Sequence, residues 1–233
     1  MSTYIIAGTR PWNRETFAAV ASALPGHRWE FVDGSGGNEQ VMAAAEAVPP
    51  EAIFFLSWHW RLPAPFVERF RCINFHAAPL PHGRGGSIVQ HLILAGFATT
   101  GLVAHRMVGA IDAGPILLSR EVSLAGSAEE VYLRIDRQAA RMIEEIVRTN
   151  PPEVPQAGEP VRFKRRRPEQ SALTEAAPSL DGVCDFIRML DAEGYPPAFL
   201  DLGPLRLTFR RAARYRGRVE ADVTIRVREE VQG

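Results

Sequence analysis

The sequence predicts an α/β fold: a core built on a mostly parallel sheet, followed by a small C-terminal α+β extension. Three observations carry this. Short apolar runs alternate with helix-length segments through the first 150 residues, as in strand–helix–strand units. Those runs are apolar at odd and even positions alike, so both faces of each strand are covered, which is the habit of parallel sheets. A proline-rich stretch at 151–160 then precedes a tail of different character.

In chain order, residues 4–8 read as a buried strand and 14–24 as a helix with Phe17, Val20, Ala21 and Leu24 on one face, ended by Pro25-Gly26. A second strand is expected at 29–32, a glycine-rich turn at 33–38, and an alanine-rich helix at 39–48 stopped by Pro49-Pro50. Residues 52–56 make a third strand. A short helix at 63–70 tolerates proline in its first turn, and 72–75 is the fourth strand. A helix is expected to run past Ser87 to Ala95, with strands at 101–108 and 116–124 joined by the turn 109–115. Ser127 and Glu130 have capping-box spacing, and Val131, Ile135, Ala139, Met142, Ile143 and Ile146 form one apolar stripe, so a long amphipathic helix ends near Asn150. The domain plan is a core over 1–150, a linker over 151–160 and an extension over 161–233, with a helix at 180–190 and strands near 199–209 and 219–227. In parallel sheets ligands bind beyond the C-terminal strand ends. The polar loops after Gly8, Leu56 and Phe75 are therefore expected to share one rim.

Bulk properties exclude more than they specify. At 233 residues the chain has room for one full domain and a small second one. Formal charges sum to zero, which argues against nucleic acid or a membrane surface as a partner. The tail over 161–233 carries 14 Lys and Arg against 11 Asp and Glu. Cys72 and Cys184 lie in apolar surroundings and read as reduced, buried thiols. There is no charged-then-apolar leader and no apolar run near the roughly 18 residues of a membrane span, so a cytoplasmic chain is the expectation by elimination.

Chemistry concentrates at the fourth strand. Asn74 and His76 are two apart and so point the same way. An amide beside an imidazole suits a reaction in which a carbonyl becomes an oxyanion: the amide stabilises the charge and the imidazole moves a proton. A polar strand end capping loop backbone is the alternative of equal weight. Asp112, read alone, starts a turn before Gly114-Pro115. Residues 83–87 open a helix with glycines, but lack both the P-loop ending and the G-x-G-x-x-G spacing, leaving an anion site or a plain turn. Trp58, His59, Trp60 and Leu62 follow a strand end, where two tryptophans in a polar loop suggest a wall for a flat ring. No histidine spacing fits a metal site, and no nucleophile elbow is present. The run Arg162-Phe163-Lys164-Arg165-Arg166-Arg167 reads as a solvated edge or, alternatively, as a phosphate contact.

Taken in order, Asn74-Phe75-His76, then Leu80-Pro81-His82-Gly83-Arg84-Gly85-Gly86, then Thr100-Gly101, then Ile111-Asp112-Ala113-Gly114-Pro115 resemble the signature of the 10-formyltetrahydrofolate-dependent formyltransferases. The resemblance covers most of residues 1–150. It implies a Rossmann-like core and transfer of a formyl group from 10-formyltetrahydrofolate, as co-substrate and without a metal, to a primary amine. It further implies Asn74 as oxyanion donor, His76 for proton transfer and Asp112 as the group that holds His76. Trp58, His59, Trp60, Leu62, Arg84, Gly85, Ile111 and Asp112 would receive the folate, and Arg10, Trp12 and Asn13 the acceptor. Ala77-Ala78-Pro79-Leu80 departs from the usual Ser-Leu-Leu run, and Gly86 stands where many relatives have Ala. Fewer than a hundred residues follow the linker. The segment 164–169, Phe186-Ile187-Arg188 and Tyr195-Pro196-Pro197 resemble the connector and helix of the sugar N-formyltransferases. An amino sugar, nucleotide-linked, is therefore the expected acceptor, with another small amine or a catalytically inactive folate-binding module as alternatives. The same resemblance suggests a homodimer through C-terminal elements around 199–209, with folded core as the alternative use of those residues.

Overall fold

The computed structural model describes residues 1–173, 177 and 179–228. The elements run β1 (Thr3–Gly8), α1 (Asn13–Ala23), β2 (Arg28–Asp33), α2 (Glu39–Ala47), β3 (Ala52–Leu56), α3 (Ala64–Arg69), β4 (Cys72–His76), β5 (His82–Gly85), α4 (Ile88–Leu94), β6 (Thr99–Arg106), β7 (Ile116–Ser123), α5 (Ala128–Thr149), β8 (Val161–Phe163), α6 (Leu180–Arg188), β9 (Ala198–Leu202), β10 (Leu205–Tyr215) and β11 (Arg218–Val227).

Six strands form the main sheet in the order β2-β1-β3-β4-β6-β7. β1 pairs in parallel with β2 and β3, and β3 with β4, whereas β6 runs antiparallel to β4. The sheet is thus mostly parallel, with the direction changing at the edge of the site described below. Both faces are covered: Ile5, Ala7, Ile53, Phe55 and Cys72 join Val41, Phe66 and Val67 in one apolar cluster, while Ile6, Phe54 and Ile73 on the other face are fully buried. That explains why the strands read as continuous apolar runs. β1, β3 and β4 are neighbours in one direction, so the loops after Gly8, Leu56 and His76 leave from the same sheet edge. Thr9 Oγ1 donates to the Ser57 carbonyl (2.6 Å), tying two of these loops together.

Two compact units emerge. The first comprises 1–86, 100–122 and 133–163; the second comprises 87–99, 123–132 and the chain from 164 onward. The units are therefore not contiguous in sequence, unlike the 1–150 and 161–233 division expected above. The proline-rich stretch 151–160 is also fastened within the first unit. Val154 bridges to Ile116 through two backbone hydrogen bonds of 2.7 and 2.8 Å, and β8 pairs with β5. β5 itself departs from expectation. The glycines from Gly83 to Gly85 form a short strand, because β8 supplies a partner that no local pattern announces.

In the second unit, Ser179 caps α6 by accepting from the Gly182 N–H (3.0 Å). β9, β10 and β11 form a three-stranded antiparallel sheet in the order β11-β10-β9. α5 begins with the expected capping box: Glu130 N–H donates to Ser127 Oγ (3.2 Å) and Ser127 N–H to Glu130 Oε2 (2.7 Å).

Candidate active site

β4 and β6 bring the central residues together. Asn74 and His76 are buried at the C-terminal end of β4. The antiparallel register sets His105 of β6 directly opposite Asn74, which puts the two side chains on the same face. Asn74 Nδ2 lies 3.4 Å from His105 Nε2. Asn74 Oδ1 is buried and has no hydrogen-bond partner among the described residues.

Asp112 sits on the turn between β6 and β7 in the left-handed region, at φ 51°. Asp tolerates that conformation better than most residues. The turn is locked from outside. Gln156 Nε2 donates to the carbonyls of Asp112 and Gly114, both at 2.8 Å, and Gln156 Oε1 accepts two hydrogen bonds from the Arg84 guanidinium (2.7 and 3.2 Å). Gly114 is required where it stands, since a Cβ there would lie 1.8 Å from the Arg106 carbonyl oxygen. So held, Asp112 accepts from the Gly85 N–H through Oδ2 (2.9 Å), and its Oδ1 lies 3.7 Å from His76 Nδ1 and 3.5 Å from His105 Nε2.

His76 Nε2 donates to the Gly83 carbonyl (2.8 Å). In the neutral ring this leaves the Nδ1 lone pair on the side of Asp112. Burial lowers the affinity of His76 for a second proton, outweighing the Asp112 charge and the Gly83 hydrogen bond, which act the other way. For Asp112, burial pushes the carboxyl up, but the neighbouring His105 and His76 rings and the Gly85 N–H together hold it below the usual carboxylate range. The pair is thus a neutral base beside an ionised carboxylate. A proton taken up at His76 Nδ1 would meet a counter-charge already in place, which is what general-base chemistry requires.

The other expected residues divide. Leu62 is buried within the apolar cluster, and Trp58 packs edge-on against Phe55 (4.9 Å) with Gly34 closed over its ring, so the first contributes to core and the second largely so. His59, Trp60 and Ile111 are exposed. Arg61 donates to the Gly109 carbonyl (3.2 Å), linking the Trp60 loop to the Asp112 turn, so exposed apolar groups from both flank one rim. Arg84 is engaged by Gln156, and Gly85 contributes its N–H to Asp112. Asn13 does not reach an acceptor: it is fully buried, its Nδ2 donating to Asp136 Oδ2 (2.5 Å) and its Oδ1 accepting from Arg10 N–H (2.8 Å). Its short polar side chain is consumed in building the start of α1. Trp12 is buried beside it with Arg10 over the ring (5.9 Å), leaving Arg10 as the half-buried member of the trio.

His105 and Gln156 are the additions. The alignment of His105 with Asn74 follows from the β4–β6 register, and Gln156 lies in what reads as a linker. Cys72 is excluded as a nucleophile, since burial pushes its thiol up to about 12. Among the described residues no group of three or more His, Cys, Asp or Glu is arranged to hold a metal ion, and no helix is long and apolar enough to cross a membrane. A cavity of about 450 Å³ in the second unit is lined by Phe97, Thr99, Leu124 and Arg188. The Arg188 guanidinium there is engaged by Asp185 and the carbonyls of Leu124 and Gly126, and none of the residues above lines the cavity.

Residues 16–147 match the family model described as Formyl transferase. Residues 168–226 match the model described as Methionyl-tRNA formyltransferase, C-terminal domain. A curated methionyl-tRNA formyltransferase of Methylobacterium nodulans is 29% identical over 201 residues, covering 82% of this chain and 61% of that protein. One from Methylococcus capsulatus is 31% identical over 133 residues, covering 55% and 42%. The chain thus spans less than two thirds of the curated relatives it matches. A solved structure titled methionyl-tRNA formyltransferase from Clostridium thermocellum aligns with a TM-score of 0.91 at 36% identity, covering 97% of this chain and 100% of that one. A sugar N-formyltransferase from Shewanella aligns with a TM-score of 0.73 at 16% identity, covering 92% and 99%, a likeness of fold alone. The tail read above as the sugar-type connector therefore matches a model of the methionyl-tRNA type. Short connector segments carried that reading, and they do not separate the two types.

Proposed function

The chain belongs to the formyl transferase family, and from that premise we propose that it transfers a formyl group from 10-formyltetrahydrofolate to a primary amine. The observation that carries the reading is the buried constellation of Asn74, His76 and Asp112, in which Asp112 lies 3.7 Å from His76 Nδ1. Asn74 stabilises negative charge on the formyl oxygen as the amine attacks the carbon. His76 takes the amine proton at Nδ1, and Asp112 balances the imidazolium. Collapse re-forms the carbonyl and breaks the bond from the formyl carbon to N10 of the folate, while His76 passes the proton it took to that nitrogen, so tetrahydrofolate leaves neutral and the imidazole is restored. The rim between the Trp60 loop and the Asp112 turn suits the folate. It offers exposed apolar side chains, Trp60 and Ile111, beside loop backbone that can meet a flat heterocycle edge-on.

For the acceptor, a small amine is favoured, an amino sugar first. The arginines of the C-terminal sheet are largely committed to acids: Arg206 to Asp201, Arg210 to Asp191, Arg211 to Asp222, Arg214 to Asp181 and Arg218 to Glu220. Cations neutralised internally contribute little to a phosphate backbone. The second reading is methionyl-tRNA, favoured by the match of residues 168–226 and by the titles of the relatives. A homodimer is supported by the apolar face of that same sheet, where Leu200, Leu207 and Ile225 lie in register with Leu202, Leu205 and Val227 beside them.

The test is tetrahydrofolate release with formyl donor and a panel of free amino sugars, nucleotide-linked amino sugars, amino acids and methionyl-tRNA. Turnover with one sugar class supports the first reading. Turnover confined to methionyl-tRNA replaces it with the second. Donor binding without release across the panel overturns transfer altogether.

A further inference from the structure

The unpartnered Asn74 Oδ1 poses a problem for any oxyanion role. Buried acceptors are almost always satisfied, and the end of this amide that should donate to the reaction faces His105 instead. His105 Nδ1 lies 3.0 Å from the Arg106 carbonyl, which can only accept, so Nδ1 carries a proton. In the neutral ring Nε2 is then a lone pair. It accepts from Asn74 Nδ2 at 3.4 Å and leaves Oδ1 unsatisfied.

We propose that the proton on His105 Nε2 decides which end of the Asn74 amide faces the reaction. With Nε2 protonated, the ring donates toward Asp112 Oδ1, 3.5 Å away, and toward Asn74. The amide then turns over, since its terminal torsion is broad and roughly two-fold. Oδ1 meets the imidazolium, and Nδ2 is released to donate to the developing oxyanion. One proton thereby satisfies the buried acceptor and frees the oxyanion donor. The ionisable groups facing His105 are Asp112 from the turn and His76 from β4, with ring centroids 6.3 Å apart. His105 is thus a positioning residue acting through Asn74.

The rate arm of this proposal rests on the formyl-transfer reading, so the experiment has an arm that does not. In uniformly ¹⁵N-labelled resting protein, the ring nitrogens of His105 and the side-chain amide of Asn74 are followed against pH. The expected result is that Nδ1 stays protonated throughout while Nε2 and the Asn74 amide titrate with one midpoint. Asn74 resonances indifferent to that titration overturn the proposal whatever the enzyme does. In the rate arm, His105→Gln keeps a permanent N–H near the place of Nε2. It should retain most of kcat and lose the alkaline limb that shares the midpoint. His105→Leu should lower kcat about tenfold or more at every pH with little change in donor Kd. An unchanged pH profile in His105→Gln overturns the coupling to turnover. If no amine is formylated by the unaltered protein, the transfer reading fails while the resonance arm still decides the switch.

Discussion

Two sheets in this chain break the rule of apolar inside and polar outside, in opposite directions. At β4 and β6, Asn74, His76 and His105 occupy positions no more than 8% exposed. In the C-terminal sheet, the register puts Leu200, Leu202, Leu205, Leu207, Val223, Ile225 and Val227 on one face, and five of these are 43–71% exposed. The first region withholds water from polar groups; the second leaves apolar groups in it. Both are unfavourable for the isolated chain, by about 1–3 kcal/mol for an unsatisfied buried acceptor. The proposed proton on His105 would supply what the buried acceptor lacks in the first region, and a second apolar surface would supply it in the other.

The largest expected effect tests the polar inversion. Asn74→Ala should lower kcat for formyl transfer by about 10²–10³, the usual consequence of losing an oxyanion donor. Because the substitution also removes the unsatisfied Oδ1, the thermal midpoint should stay level or rise. Thermal unfolding beside the rate assay separates the two roles. A fall in stability with kcat retained would make Asn74 a structural residue and remove the first half of the comparison.

Asp136 sharpens that half, because it is a buried polar group whose partners are internal. It is 4% exposed, and burial raises its carboxyl to about 6 against the opposing hydrogen bonds from Asn13 and Thr16. Between the unfolded value near 3.8 and the folded value near 6, the native state keeps a proton that the unfolded chain has lost. Stability therefore falls as pH rises through that window, by about 3 kcal/mol in all. Denaturant midpoints measured from pH 4 to 7 should show this slope, and Asp136→Asn should flatten it. An unchanged slope in the variant would assign the effect to other groups.

Much of this was legible in the sequence. The strands β1 and β3 were readable because each is apolar on both faces and has a Gly or a charge at one end. α5 was readable because its cap and its stripe agree. Asn74 and His76 were readable because spacing by two fixes a common face on a strand. What escaped depends on partners distant in the chain. His105 becomes a neighbour of Asn74 only once β6 is known to pair with β4 antiparallel. Gln156 lies among prolines that suggest a loose linker, yet its amide closes the Asp112 turn from 44 residues away. Leu62 and Asn13, expected at a ligand, are buried for the complementary reason. Proximity in sequence to an exposed loop says nothing of which residue turns inward: Leu62 packs in the apolar cluster and Asn13 hydrogen-bonds to Asp136 and to the Arg10 N–H.

The smallest expected effect, taken per residue, tests the apolar inversion. Ile225 is 59% exposed at the middle of its face, opposite Leu207. Burying an isoleucine is worth about 1.5–3 kcal/mol, so covering what remains exposed should contribute about 1–2 kcal/mol per subunit. Ile225→Thr keeps the β-branch and hence the strand preference while removing apolar area. A two-fold dimer uses the residue twice, so removing the contact should weaken its dissociation constant by up to about thirtyfold to a thousandfold. The residue lies outside the constellation at β4 and β6, so turnover per subunit at saturating protein should be retained. Sedimentation velocity over a concentration series reads the association directly. An unaltered protein that remains monomeric at every concentration would show that the face is not covered by a second copy, and the two inversions would then have different causes.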